Sequence, residues 1–200
     1  MTEPGKRARG RPRSVDRQSA VDLAMDTYWR LGLSALSLNE MCKRVGLSKP
    51  ALYREFGGED GLQAAALATY RHHVVRPMLD QLDGDAPLAT MLEAAVVGLT
   101  SDRGTPPGCL FTKLRIAKSR LGPAALEAID GLEREHLADY RALYQRGLDR
   151  GQANPELDAE FAAIYIDTQL ASVLVQMGIG IDPMQVRRQG LLAMQVLVAR

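Results

Sequence analysis

The sequence predicts an all-α fold of nine helices, and three observations carry that prediction. Helix-start signals recur along the chain: a Ser-x-x-Glu capping box at Ser37–Glu40, Ser48 ahead of Lys49-Pro50, and a small or capping residue before Pro at Ala86-Pro87, Thr105-Pro106, Gly122-Pro123, Asn154-Pro155 and Asp182-Pro183. Apolar residues return at intervals of three and four, and no stretch sustains the alternation of a strand. Ala, Leu and Met are common while aromatic residues make up only 5% of the chain, a balance that favours helix over sheet. With 46% of its 200 residues hydrophobic, the chain can fill one large domain or a small and a medium one.

Residues 1–13 carry five Lys or Arg, several Gly and Pro and no core residues, which predicts a disordered basic arm. Within it Arg9, Arg11 and Arg13 lie in Arg-Gly-Arg-Pro-Arg, a pattern similar to an AT-hook, whose Arg side chains enter a narrow minor groove. A merely basic tail that neutralises phosphates fits the same residues. Ser14 is placed to cap a first helix running to about Leu31. Val15, Ala20, Val21, Ala24, Met25 and Tyr28 share its buried face, and Gly32 ends it.

The stretch Ser37 to Phe56 organises the rest of the chain. The Ser37 hydroxyl can accept the amide of Glu40 while the Glu40 carboxylate reaches back, so a helix opens at Leu38. Leu38, Met41 and Val45 form its apolar stripe, and Gly46 stops it. Ser48 caps a second short helix in which Leu52 and Phe56 face inward and Lys49, Tyr53 and Arg54 lie on the other faces. Two short helices joined by a tight Gly turn, the second basic outward, make a helix-turn-helix pattern; an ordinary helical hairpin has the same periodicity. Charge is asymmetric along the chain. Residues 1–56 hold eleven Lys and Arg against six Asp and Glu, a balance of +5, whereas residues 57–200 hold fourteen against eighteen, a balance of −4. The net basic charge is confined to the end that carries the motif, which fits a nucleic-acid-binding end and a solvated remainder.

Ser48-Lys49-Pro50-Ala51-Leu52-Tyr53-Arg54-Glu55-Phe56, followed by Gly-Gly-Glu-Asp-Gly-Leu, resembles the signature of the TetR family of bacterial transcriptional regulators. The specific motifs cover about residues 14 to 70, and beyond them only the helical layout is similar. The resemblance implies a nine-helix architecture: a helix-turn-helix domain at 14–58 and a ligand-binding and dimerisation domain at 59–200. It also implies a regulator, by family default a repressor, released from a palindromic double-stranded DNA operator by a small-molecule effector. Ser37, Asn39, Ser48, Lys49, Pro50, Ala51, Tyr53 and Arg54 are the expected DNA contacts, with Arg9, Arg11 and Arg13 of the arm. Lys49 offers donors to guanine or phosphate, Pro50 and Ala51 offer apolar contact to a thymine methyl, and Ser48 and Tyr53 offer hydroxyls to phosphate. One position departs from the family: Glu59 stands where a phosphate-approaching Lys is common.

Beyond Phe56, Glu59 and Asp60 open a long helix reaching about Met78, which Pro77 kinks or ends. Pro87 opens a helix to about Thr100, Pro106 one to about Arg120, Pro123 one to about Arg150, Pro155 one to about Met177, and Pro183 the last. Pro107-Gly108-Cys109-Leu110-Phe111 resembles the Gly-Cys-Leu that often opens the sixth helix of the family. The penultimate helix has two apolar stripes, one of Phe161, Ile164, Tyr165, Thr168, Ala171, Ser172 and Val175, the other of Ile166, Leu170, Val173, Leu174 and Met177. With Met184, Leu191, Leu192, Met194, Val196 and Leu197 of the final helix, the surplus stripe fits either a helix buried in the middle of one monomer or a homodimer through the last two helices, and the family resemblance implies the dimer. Met91, Phe111, Leu114, Tyr140, Tyr144 and Met177 are candidates to line a ligand cavity, although plain core explains each as well.

Cys42 and Cys109 lie far apart with no Cys-x-x-Cys or His spacing, and adjacent His72 and His73 point about 100° apart on a helix, so neither zinc nor a disulfide framework is expected. No cofactor is expected. Apolar runs are too short to span a membrane, which predicts a cytoplasmic protein. The chain has no Gly-x-Ser-x-Gly, phosphate loop or Glu-x-x-His pair, which argues against an enzyme. The remaining alternative is a helical ligand sensor or partner-binding protein without DNA binding.

Overall fold

The computed structural model describes residues 16–33 and 36–199, and among these every regular element is helical. α1 spans Arg17–Leu31, α2 Leu38–Arg44 and α3 Lys49–Phe56. α4 is one continuous rod, formed by Glu59–Tyr70, a π-helical turn at Arg71–Val75 and a last turn at Arg76–Leu79, followed by a 3-10 turn at Asp80–Asp83. Then come α5 (Leu88–Thr100), α6 (Leu110–Ile116) with a 3-10 turn at Lys118–Arg120, α7 (Pro123–Asp149), α8 (Ala159–Gly178) and α9 (Pro183–Met194) with a 3-10 turn at Gln195–Leu197. Counted this way the described residues form nine helices, as the sequence predicts.

α4 joins the two parts of the molecule. Its first turns pack on α1 and α3, and its length packs on α7, while α8 lies between α7 on one side and α5 and α9 on the other. Pro77 sets the form of the rod's end. A proline inside a helix supplies no amide and crowds the carbonyl four residues back, and the π turn immediately before it widens the helix where that crowding falls. Pro77 therefore does not end α4, and the chain continues helical to Leu79.

Three helix starts differ from the sequence expectation. α1 is capped by Asp16, whose carboxylate accepts the amide of Ser19, and begins at Arg17; Ser14 and Val15 lie outside the described residues, as do the arm and Arg9, Arg11 and Arg13. Thr105-Pro106 does not open α6. Gly108, at φ 79°, runs against the backbone of Gly178 and Leu174, so a Cβ there would sit 3.1 Å from both, and the chain stays irregular up to Cys109, the residue before α6. Asn154-Pro155 does not open α8 either. The Asn154 amide donates to Leu197 O, its side chain donates to Val196 O and accepts the Glu156 amide, and its carbonyl accepts the Tyr144 hydroxyl. Committed to tying the α7–α8 turn to the C-terminal segment, Asn154 leaves capping to Asp158, which accepts the Phe161 amide at 2.8 Å.

Candidate nucleic-acid interface and ligand cavity

Local chemistry fixes the helix-turn-helix. Ser37 and Glu40 complete the capping box: the Ser37 amide donates to Glu40 Oε2 at 2.8 Å and the Glu40 amide to Ser37 Oγ at 3.4 Å, and the contact with Ser37 holds the Glu40 carboxyl below the usual range. Ser48 caps α3 by accepting the Ala51 amide, and Gly57 closes it in the left-handed conformation at φ 75°. Leu52 is wholly buried and seats α3 against a core of Ala20, Ala24, Tyr28, Met41 and Val45.

The opposite face of α3 is bare. Ser48, Lys49, Pro50, Tyr53 and Arg54 are exposed and Ala51 is half-buried; Ser37 and Asn39, at the start of α2, are exposed as well. These eight residues therefore lie within one small motif, with their side chains largely free of the core. Tyr53 is 56% exposed, and its ring edge lies against Gly58, where a Cβ would come within 3.2 Å. Gly58, at φ 131°, thus lets the chain turn into α4 close beneath the ring. Arg54 pairs with Glu55 at 2.9 Å, and Arg17 lies over the Phe56 ring at 4.9 Å from its centroid. The basic side chains Lys43 and Arg44, in the last turn of α2, are exposed beside these residues. The sequence reading did not single them out, and their position in the last turn of α2, just ahead of Val45 and the turn glycine Gly46, was the available signal. Glu59 is half-buried, and its charge together with burial raises the Tyr28 hydroxyl pKa, burial acting most strongly.

Several contacts around Trp29 link this motif to the body. Trp29 of α1 donates from Nε1 to Gly108 O at 3.2 Å and meets the Tyr70 ring edge-on at 4.8 Å, while Lys113 of α6 donates to the Trp29 carbonyl. The Tyr70 hydroxyl in turn donates to Cys109 Sγ at 3.2 Å, and burial pushes its pKa well up. At the start of α4, the Asp60 carboxylate accepts the amides of Ala124 and Ala125, both at 2.9 Å, and so caps α7 from across the fold. Gly122 makes this approach possible, because a Cβ there would sit 2.4 Å from Asp60 Cγ.

Tyr70 and Cys109 also form part of the wall of an internal cavity. It comprises two adjoining spaces that share Val74, Met78, Leu99, Arg103, Tyr140 and Leu170: an inner end of about 30 Å³, so called because His136 and Asp167 line it from α7 and α8, and an outer part of about 430 Å³ lined mostly by α4 and α5. Of the six lining candidates, Met91, Phe111 and Tyr140 face this space. Leu114, Tyr144 and Met177 do not: Leu114 and Tyr144 are packed into the core, and Met177 lies against it. Absent from the sequence reading are the polar groups of the lining, Arg103, Arg115, His136 and Asp167. His136 was within reach of it, since Ile129, Leu132, His136, Tyr140 and Leu143 recur at helical spacing on the buried face of α7.

On α8, the stripe containing Ile166, Leu170 and Val173 is buried, while Phe161 and Ile164 of the other are 52% and 51% exposed. On α9 and beyond, Met184, Leu192 and Val196 are exposed, whereas Met194 and Leu197 belong to the core. No helix among the described residues is long and apolar enough to cross a membrane.

Comparison with known proteins is consistent across sequence and structure. Residues 20–66 match the family model described as bacterial regulatory proteins, tetR family. Across 83% of this chain and 81% of the relative, the sequence is 28% identical to the HTH-type transcriptional repressor ComR of Escherichia coli K12. A second repressor of that organism, BdcR, is 30% identical over 46% of this chain and 47% of its own. Among solved structures, a cysteine-substituted TetR-family regulator CifR complexed with 26-bp double-strand operator DNA superposes with a TM-score of 0.75 at 29% identity, covering 92% of this chain and 98% of that one. The reduced form of NemR from E. coli superposes with a TM-score of 0.78 over 92% and 97% of the two chains, and at 16% identity it bears on the fold alone.

Proposed function

Since the chain belongs to the tetR family of bacterial regulatory proteins, we propose that it is a sequence-specific transcriptional repressor that leaves a palindromic operator when a small molecule enters its helical body. One observation carries this reading: α3 is anchored by a wholly buried Leu52 yet presents Lys49, Pro50, Tyr53 and Arg54 to solvent. In this reading Lys49, Pro50 and Ala51 meet base edges, while Ser37, Asn39, Ser48, Tyr53 and Arg54 hold the backbone. Glu59, turned toward the Tyr28 side of the motif, takes no phosphate. Arg9, Arg11 and Arg13 precede α1 and add electrostatic affinity, in the minor groove or along the phosphates. The domain boundary lies at 58/59, where α3 hands over to α4.

Two copies would pair through the exposed apolar stripe of Phe161 and Ile164 on α8 with Met184 and Leu192 on α9, an isologous contact that spaces the two α3 helices by roughly 34–36 Å or a multiple of it. An effector acts by binding better to a dimer with the wrong spacing. Trp29 supplies a physical route: Tyr70 and Cys109 border the cavity, and both are joined through Trp29 and Gly108 to α1. The protein works by binding, without a cofactor and without catalysis, and a chromosomal target places it in the cytoplasm. A gel shift against the DNA upstream of its own coding region, repeated at several salt concentrations, tests the reading. One preferred site with affinity falling steeply as salt rises is expected; equal, weak binding to all fragments contradicts it.

A further inference from the structure

At the inner end of the cavity His136 is 6% exposed, and its Nε2 has no hydrogen-bond partner. Its Nδ1 lies 3.9 Å from Asp167 Oδ1, and Asp167 is held by Arg115 at 2.6 Å. Every charged group that reaches this ring belongs to α6, α7 or α8: Asp167, Glu135 and Glu133 favour its protonation, and Arg115 opposes it. Burial outweighs them and brings the pKa down to about 4, so the ring is neutral at physiological pH. A neutral imidazole carries one proton, which belongs on Nδ1 facing the Asp167 carboxylate, and Nε2 is then a bare acceptor. A buried acceptor without a donor is costly, so the site calls for an O–H or N–H.

The surroundings narrow the choice. Phe111 stands edge-on to His136 at 4.8 Å and Tyr140 lies tilted at 5.9 Å, giving the inner end aromatic walls. About 30 Å³ admits a single small head group, and the outer 430 Å³ admits an apolar body. Arg103 borders both parts, exposed to solvent and in no ion pair with any described residue, so a cation entering there meets a like charge.

Building on the ligand-responsive function proposed for the helical body, we infer that the effector is a hydroxyaromatic compound, neutral or anionic, whose hydroxyl enters the inner end and donates to His136 Nε2 while its apolar rings fill the space between α4 and α5. The competing occupant of the inner end is a single water, which would satisfy Nε2 and leave the cavity without preference. Binding of 2-naphthol, 2-methoxynaphthalene and 2-naphthylmethylammonium to the full chain, measured by calorimetry, separates these cases. On wild type 2-naphthol should bind about tenfold more tightly than the ether that lacks the donor, and the ammonium no better than the ether. In His136→Leu, checked for folding by circular dichroism, that preference should vanish. Equal binding of naphthol and ether to wild type, or tightest binding of the ammonium, overturns the inference. Should His136→Leu fail to fold, the ¹⁵N spectrum of the wild-type imidazoles decides: naphthol should move the Nε2 resonance of the buried histidine and not those of exposed His72 and His73, and an unmoved resonance overturns it. Operator binding by the same preparation keeps the two readings apart. Operator bound with no naphthol preference removes the effector class alone, whereas naphthol preference without operator binding removes the repressor and leaves the cavity chemistry standing.

Discussion

The helix-turn-helix end and the body behind it use their polar side chains in opposite ways. From α1 to α3 nearly every polar contact is local: Asp16 with Ser19, Gln18 with Asp22, Arg30 with Asp26, Ser37 with Glu40, Ser48 with Ala51. In the body, beside local contacts, many cross the fold: Arg71 grips Glu135 with two bonds of 2.6 Å, Arg115 holds Asp167, Asp60 caps α7, and Arg187 reaches Thr100 and Ser101. Local circuits leave the outward face of α3 uncommitted and therefore open to a partner. Long-range circuits commit many charges of the body to its own architecture, while Arg103 and the buried His136 Nε2, which make no such contact, border the cavity. Each part is open to a partner where its polar groups are unmatched.

The strongest way to break the comparison is to remove what seats α3. Leu52→Ala should cost about 2–5 kcal/mol and unfold the N-terminal unit, because no neighbour can refill a wholly buried site in so small a core; a urea titration measures it. The body answers to acid instead. His136 takes up its proton near pH 4 when folded and near 6.5 when unfolded, so the unfolded chain binds the proton first as pH falls. The stability attached to its neutral form is intact above about pH 6.5 and lost progressively toward pH 4, by up to about 3 kcal/mol. Thermal melts over that range should fall more steeply for wild type than for His136→Leu.

Smaller effects sharpen the boundary between the two parts. Asp60→Ala leaves two α7 amides without their acceptor and should cost about 1 kcal/mol, read as a lowered melting temperature. Ile164→Asp should change subunit stability by less than about 0.5 kcal/mol, since the side chain is half in solvent, while turning dimers into monomers in sedimentation equilibrium.

How much was legible in the residues divides along the same line. α2 and α3 read almost to the residue, because Ser37, Glu40, Ser48 and Gly57 act within one turn of themselves. The two apolar stripes of α8 were legible too, one of them buried and the other bearing exposed Phe161 and Ile164. Pro106 and Pro155 misled because their neighbours Gly108 and Asn154 are held by residues far along the chain, Gly178 for the first and Val196 and Leu197 for the second. Apart from His136, the polar lining of the cavity was illegible for the same reason. Arg115 and Asp167 come from different helices and meet only in the fold, and nothing near either residue in sequence announces the other.

The most direct test of the central claim, that the bare face of α3 binds operator DNA, is a fluorescence anisotropy titration of wild type and Lys49→Ala across a salt series. Lys49 is exposed and makes no core contact, so the variant should melt with wild type and bind the operator at least about tenfold more weakly. Its log-affinity against log-salt slope should be shallower by roughly one to two units for a dimer. Equal affinity and equal slope for the two proteins would contradict the account.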